Sequence, residues 1–338
     1  MSFSFQCLYQ FSPVIILSLA FLLDLIFGDP RYRFHPIRLI GRLIELNYRL
    51  ALRIPIKKKI LGLFILLGVL SFSEFVYFFC IYLLGNASLL LVIYLSYSFI
   101  AIKDMADHLF PIAKSLEEGK IDDARRFLSK IVGRITDSLD QEAIIRASVE
   151  SAAESFVDGV LSPVFWFSFG AIWGYPVAFM MAYKVINTLD SMLGYKSEQL
   201  KDIGWASAKA DDLVNFVPAR LSLIFLYIGA VICKLDAKNG LLIAYRDRLK
   251  HSSPNSGHPE AFVAGALGIR LGGPTKYPYG LVKKPWIGDE NRRPHLLDIM
   301  RSIQLIETGA FILILFALLF LFLISLHNRG YQSGIPLI

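Results

Sequence analysis

Cysteine is nearly missing from this chain, and the three that occur bring none of the chemistry of clustered thiols. Cys7, Cys80 and Cys233 fall in or beside apolar runs at unrelated spacings. They form no metal motif and no disulfide framework, and they read as small packing residues. A glycine-rich phosphate loop of the Gly-x4-Gly-Lys-Ser/Thr kind is also missing, as is any other nucleotide fingerprint. Charge is thin, with Asp, Glu, Lys and Arg making up only 19% of 338 residues. No Lys or Arg precedes Phe11, and the first apolar run ends in Gly28-Asp29-Pro30 instead of a small-residue cleavage site. A cleaved signal peptide is therefore not expected.

What the chain has in quantity is hydrophobic length. Hydrophobic residues make up 55% of it and the mean hydropathy is +0.52, outside the soluble range. Apolar runs cover Phe11 to Phe27, Ile60 to Leu84, Ala87 to Ile102, Val160 to Met181, Leu221 to Leu235 and Ile306 to Leu326. A span takes roughly 20 apolar residues, so the runs from Ile60 and Ile306 are long enough while Leu221 to Leu235 is short. The expectation is an all-α, polytopic integral membrane protein with four to six membrane helices and cytoplasmic helical loops. It reads as a single membrane-embedded domain over 1–338, with a polar helical insertion at 103–158 and motif-bearing loops at 187–220 and 251–274.

The net charge of +7 sits at the membrane edges, which points to lipid and away from nucleic acid as a partner. From Arg31 to Lys59 nine Lys or Arg face one acid, Glu45, so that loop is placed in the cytoplasm and the N-terminus outside. Counting all six runs as spans would put Lys184 to Arg220 outside the cell. Either the two middle runs dip into the membrane without crossing, which leaves four crossings and is the reading favoured, or the polar stretch between them folds back toward the midplane. Pro163, Gly170, Gly174 and Pro176 interrupt the run from Val160, as either a re-entrant helix or a kinked span. Apolar and basic residues alternate at helical spacing from Arg38 to Lys59, which predicts a helix along the membrane face.

The polar stretches carry the candidate chemistry. Between Arg146 and Pro163, Arg146, Glu150, Glu154 and Asp158 recur every fourth residue and share one face of a helix. Three acids in a row call for a positive partner: a divalent cation, a basic substrate, or Arg and Lys from elsewhere in the chain. Asn187 with Asp190, and Asp211 and Asp212 with Asn215, place oxygen ligands of the kind Mg²⁺ takes, though such pairs also cap helices or bond between them. Asp24, Asp29 and His35 form a charged cluster at the end of the first span, either an interfacial turn or a substrate-facing group. Gly133-Arg134 presents Arg134 to an anion or marks a helix boundary. In the Ser252 to Pro274 stretch, Pro259-Glu260 opens a helix whose Ala261, Ala264, Gly265, Gly268 and Gly272 make a small-residue packing face. The start of that helix, with Arg270 nearby, is a natural anion site.

These stretches together resemble the CobD/CbiB family of adenosylcobinamide-phosphate synthases, membrane enzymes of cobalamin biosynthesis. The likeness runs through nearly the whole chain. It rests on DLIFGDP with HP at Asp24 to Pro36, IVGR at Ile131 to Arg134, the acidic pattern at Val149 to Gly159, NTLDSMLGY at Asn187 to Tyr195, GWASAKADDLVNFVPARL at Gly204 to Leu221, and SPNSGHPE with GALGIRLGG. Ile135, Ser155, Ser197 and His258 depart from the family pattern, where Asp, Asn, Asn and Trp are usual.

The resemblance implies amide formation between a propionate of adenosylcobyric acid and aminopropanol phosphate or a close relative. ATP is implied as co-substrate and Mg²⁺ as cofactor, with an acyl phosphate as the activated form. On this basis Glu150, Glu154, Asp158 and Asp190 are the catalytic candidates, and Glu154, Asp158, Asp211 and Asp212 the metal candidates. Arg146, Lys196, Arg220 and Arg270 would take phosphate and corrin carboxylate. Asn187, Asn215 and Asn255 would fix ligands through neutral hydrogen bonds, and Glu260, Asp29 and His35 complete the substrate-facing set. A homo-oligomer is compatible with the sequence. The alternative class is a transporter or sensor of the same fold, which internal repeats would favour; none is evident.

Overall fold

A computed structural model describes residues 12–29, 32–195 and 197–333. Helices dominate them, as the hydropathy pattern requires, and the chain is an all-α polytopic membrane protein. The helices are α1 (Pro13–Phe27), α2 (Pro36–Ala51), α3 (Lys58–Leu84), α4 (Ser88–Ser98), α5 (Ile102–Glu117), α6 (Ile121–Leu128), α7 (Gln141–Phe156), α8 (Ser162–Ile172), α9 (Pro176–Leu193), α10 (Trp205–Val214), α11 (Phe216–Ile232), α12 (Ala237–Asp247), α13 (Gly257–Leu267) and α14 (Leu297–Ser333). A π-helical turn, Val157–Leu161, follows α7. Three helical segments are long and apolar enough to cross a membrane: Lys58–Glu117, Gln141–Ile172 and Leu297–His327, with a fourth if α10 and α11 count as one broken span. Among the described residues these three or four candidates reach the lower end of the four-to-six expectation, and α1 is a further apolar helix of 15 residues.

The described residues form two compact units. The first holds 12–101, 162–214 and 314–333. Three of its helices begin on a sequence signal: α1, α2 and α9 each carry proline in the first helical turn, where the missing N–H costs nothing. The expected surface helix from Arg38 to Lys59 ends early, at Ala51, and buries Ile40 and Ile44 one turn apart while its arginines face outward. Within this unit α1 packs on α4, and α2, α3 and α10 pack around α9. The interrupted run from Val160 is a helical hairpin. Helix α8 stops at Ile172, Tyr175 N–H bonds back to the Gly170 carbonyl, and α9 returns along α8. Gly170 is needed there, since a Cβ would stand 2.7 Å from both Phe179 Cβ and the Tyr175 carbonyl oxygen.

The second unit holds 102–161 and 215–313. Within the expected polar insertion, helices α5 and α6 are separated by Glu118-Gly119-Lys120 and pack against α7. Helix α7 starts at Asp140, whose carboxylate accepts the Ala143 N–H at 2.7 Å, and α12 starts likewise at Asp236. Helix α13 begins at Gly257, two residues before the expected Pro259, and its Ala261, Ala264 and Gly265 are buried in a unit where α12 is its principal neighbour. The small-residue face ends sooner than its pattern suggests: Gly268 takes the left-handed cap and Gly272 lies in a strand. Four short strands follow, β1 (Leu271–Gly272), β2 (Thr275–Tyr277), β3 (Gly280–Val282) and β4 (Trp286–Ile287). Strands β1 and β4 pair antiparallel with Gly272 opposite Trp286, and β2 and β3 form a hairpin with Thr275 opposite Val282.

Candidate functional site

The densest polar centre of the second unit is built on α7. Glu150 is 5% exposed. Its Oε2 pairs with Arg134, and its Oε1 accepts the backbone N–H of Gly272 at 2.7 Å. Arg134 reaches it because the 131–135 segment is tied to the strand hairpin, Ile135 N–H donating to the Lys276 carbonyl at 2.8 Å. Burial alone would lower the Arg134 pKa, but the Glu150 carboxylate outweighs it and holds the guanidinium above its ordinary value. Of the three positive partners the acidic face called for, a chain arginine is the one present at Glu150.

The rest of that face is not a continuous acidic row. Glu154 is exposed, whereas Asp158 is half-buried in the π turn, where the wider helix takes it off the fourfold register. On α13, Glu260 is 4% exposed, with His251 Nε2 3.8 Å from its Oε1. Burial, then Glu150 and Glu154, hold the Glu260 carboxyl well above the usual carboxylate range, against the pull of Lys284 and Arg134.

Two of the expected anion-binding arginines meet at one ring. The Arg270 and Arg146 guanidiniums lie 4.2 and 5.5 Å from the Trp286 ring centroid. Arg270 also pairs with Glu290 at 3.0 Å and Arg146 with Glu142 at 3.6 Å, while Arg270 Nε is buried with no hydrogen-bond partner among the described residues. Arg220 lies elsewhere in the unit, at the start of α11, where it donates to the Phe216 carbonyl at 2.6 Å and to Asn255 Oδ1 at 3.4 Å. Asn215, also buried, precedes that helix without capping it through its side chain.

The first unit holds the other polar centres. Asn187 Nδ2 donates to Asp211 Oδ1 at 3.3 Å, so the bond runs between α9 and α10 instead of along one helix. Asp190 is half-buried on α9, and Asp212 pairs with Lys209 at 3.1 Å. At the end of α1, Asp24 is fully buried, His35 Nε2 stands 2.8 Å from Asp29 Oδ1, and Tyr97 donates to the Gly28 carbonyl at 2.5 Å. Lys196 lies outside the described residues. Among the described residues no group of three or more His, Cys, Asp or Glu side chains is placed to hold a metal ion.

Several polar residues at these centres escaped the sequence reading. Tyr277, Lys284 and Trp286 sit in what reads as a plain basic segment, and nothing in the pattern reveals that it folds into strands returning to α7. Asp247 is another. It accepts Arg246 Nε and Nη2 at 2.8 Å, Lys250 at 2.7 Å and the Gly288 N–H at 2.8 Å. Arg246, foremost among these donors, holds its carboxyl far below the usual range. Adjacent Arg-Asp in the sequence was its only mark.

Comparison with known proteins supplies the context. A family model described as "CobD/Cbib protein" matches residues 17–306. The chain is 44% identical to the "Cobalamin biosynthesis protein CobD" of Photorhabdus laumondii over 317 residues, covering 91% of this chain and 97% of the relative. It is 42% identical to the protein of that name from Clostridium perfringens (90% and 97% covered), and 40% identical to the "Cobalamin biosynthesis protein CbiB" of Salmonella arizonae (85% and 91%). No solved structure matches the chain.

Proposed function

The chain belongs to the CobD/CbiB family, and from that premise we propose that it works in cobalamin biosynthesis as an ATP-dependent amide-forming ligase. A propionate of adenosylcobyric acid is joined to aminopropanol phosphate or a related amino alcohol phosphate, giving adenosylcobinamide phosphate. Condensing a carboxylate with an ammonium in water runs uphill, so ATP serves as co-substrate. The carboxylate takes the terminal phosphoryl group, ADP leaves, the amine displaces phosphate, and the amine's proton passes to a base.

The observation that carries this reading is the match over residues 17–306, together with the names of relatives that cover almost their whole length. Side-chain chemistry in the second unit supports it. Glu154, exposed on α7, is the base that takes the amine's proton. Glu150 is held by Arg134 and Gly272 and fixes the floor beneath it. Arg146 and Arg270, lying against Trp286, receive a carboxylate. Mg²⁺ fits these donors in its usual form, with one or two protein carboxylates and the remaining oxygens from water and phosphate. Glu154 with Asp158 would hold it, and it would neutralise phosphoryl charge there. The active side faces the cytoplasm, where ATP is found.

The test is purified full-length protein with adenosylcobyric acid, aminopropanol phosphate, ATP and Mg²⁺, followed by mass spectrometry. Product is expected from the wild type and not from Glu154→Gln, which should remain folded in detergent. Normal turnover by Glu154→Gln would remove that residue from the chemistry.

A further inference from the structure

Between α12 and α13, Gly257 lets the chain pass so close to the end of α12 that a Cβ would lie 2.1 Å from the Arg248 carbonyl oxygen. The loop ahead of it is wound on Ser253, whose hydroxyl accepts the Asn255 and Ser256 N–H groups at 3.2 and 3.3 Å. This brings the 11-residue helix α13 in beside the Arg248 backbone and, through Asn255, beside the Arg220 guanidinium; its His258 and Glu260 N–H groups already donate to the Asn255 and Ser256 carbonyls. The second residue of the helix is His258. Its side chain is 3% exposed, yet neither ring nitrogen has a hydrogen-bond partner among the described residues. Leaving such a group unpaired is destabilising. Burial, then Arg220 and Arg248, push its pKa down to about 4, so the ring is neutral and can donate one hydrogen bond.

Two guanidiniums that both bear on one buried imidazole, itself left without a hydrogen-bond partner among the described residues, favour an anion among them. We propose that Arg220, Arg248, Asn255 and His258, at the start of α13, form a binding site for a terminal phosphoryl group. The site rests on the reaction proposed above and assigns its phosphate to this end of α13, away from the Trp286 arginines. Arg220 is already oriented for it by the Phe216 carbonyl at 2.6 Å and Asn255 at 3.4 Å. Two substrates of the reaction end in such a group, the amino alcohol phosphate and ATP, and the chemistry at the site is the same for both.

Calorimetric titration of the full-length protein in detergent with inorganic phosphate, aminopropanol phosphate and ATP tests this. Inorganic phosphate should bind and be displaced by one of the two substrates, which identifies the source. Arg220→Gln and Arg248→Gln should each weaken phosphate by about tenfold or more, the scale of one charge-assisted contact. His258→Phe, which keeps a buried ring, should weaken it as well and guards against a misfolded arginine variant. Unchanged phosphate affinity in Arg248→Gln and His258→Phe, or no phosphate binding by the wild type, overturns the site. Phosphate binding as described without amide product would overturn the reaction and leave the site standing. Product formed by Arg248→Gln with an unchanged KM for both phosphorylated substrates would do the reverse.

Discussion

At Glu150 a residue chosen as a catalytic carboxylate turns out to be an internal ion-pair partner, and that changes what its substitution should do. Glu150 is buried and the Arg134 side chain is only 13% exposed, and removing one partner from a buried pair costs about 3–5 kcal/mol because the other charge is left stranded. Glu150→Leu alone should therefore lower the unfolding midpoint markedly. Arg134→Met combined with Glu150→Leu should recover most of the loss, and a double variant no more stable than the single one would contradict the pairing. His258 offers a second test through pH. Its folded pKa is depressed to about 4, against about 6.5 for a free imidazole. The folded state refuses a proton that the unfolded chain accepts, so the stability due to the neutral ring is complete above about pH 6.5 and is lost as pH falls toward 4. Arg220 and Arg248 are the charges bearing on the ring. The wild-type midpoint should fall more steeply across that window than that of His258→Phe, and parallel slopes would contradict a neutral, buried His258. Residue types were readable from the sequence here, while partners were not. Arg134 stood out in its Ile-Val-Gly-Arg stretch, but only the fold shows which carboxylate it meets.

At the scale of elements, punctuation was readable and return paths were not. Proline at the starts of α1, α2 and α9, and the polar break at Glu118-Gly119-Lys120, mark boundaries by local backbone chemistry that needs no tertiary partner. The run from Val160 was undecided because periodicity cannot separate a kinked span from a hairpin. Packing of Gly170 against Phe179 decides for the hairpin. Gly170→Leu should cost about 1–3 kcal/mol by overpacking, whereas Gly68→Ala on α3, where a Cβ meets nothing within 4 Å, should be neutral or stabilise by up to about 1 kcal/mol. Denaturant unfolding in detergent reads both, and equal effects would mean that α8 and α9 do not lie against each other. The four short strands went unseen because two- and three-residue strands carry no period. Their role becomes visible only where Gly272 N–H reaches Glu150.

For the whole molecule, membrane character follows from composition, and three or four candidate spans follow from helix length and apolarity. The family resemblance read from motif order is the family found by comparison over residues 17–306. What the linear pattern overstated was the acidic row, because a π turn and a buried arginine divide it. The central claim is that a corrinoid carboxylate is activated by phosphoryl transfer and then captured by an amine. It is tested most directly with adenosylcobyric acid carrying oxygen-18 in the reacting carboxylate, in a complete mixture with aminopropanol phosphate, ATP and Mg²⁺. The account expects one labelled oxygen in inorganic phosphate for each amide formed. Amide formed with unlabelled phosphate, or phosphate released with no amide at all, would contradict it.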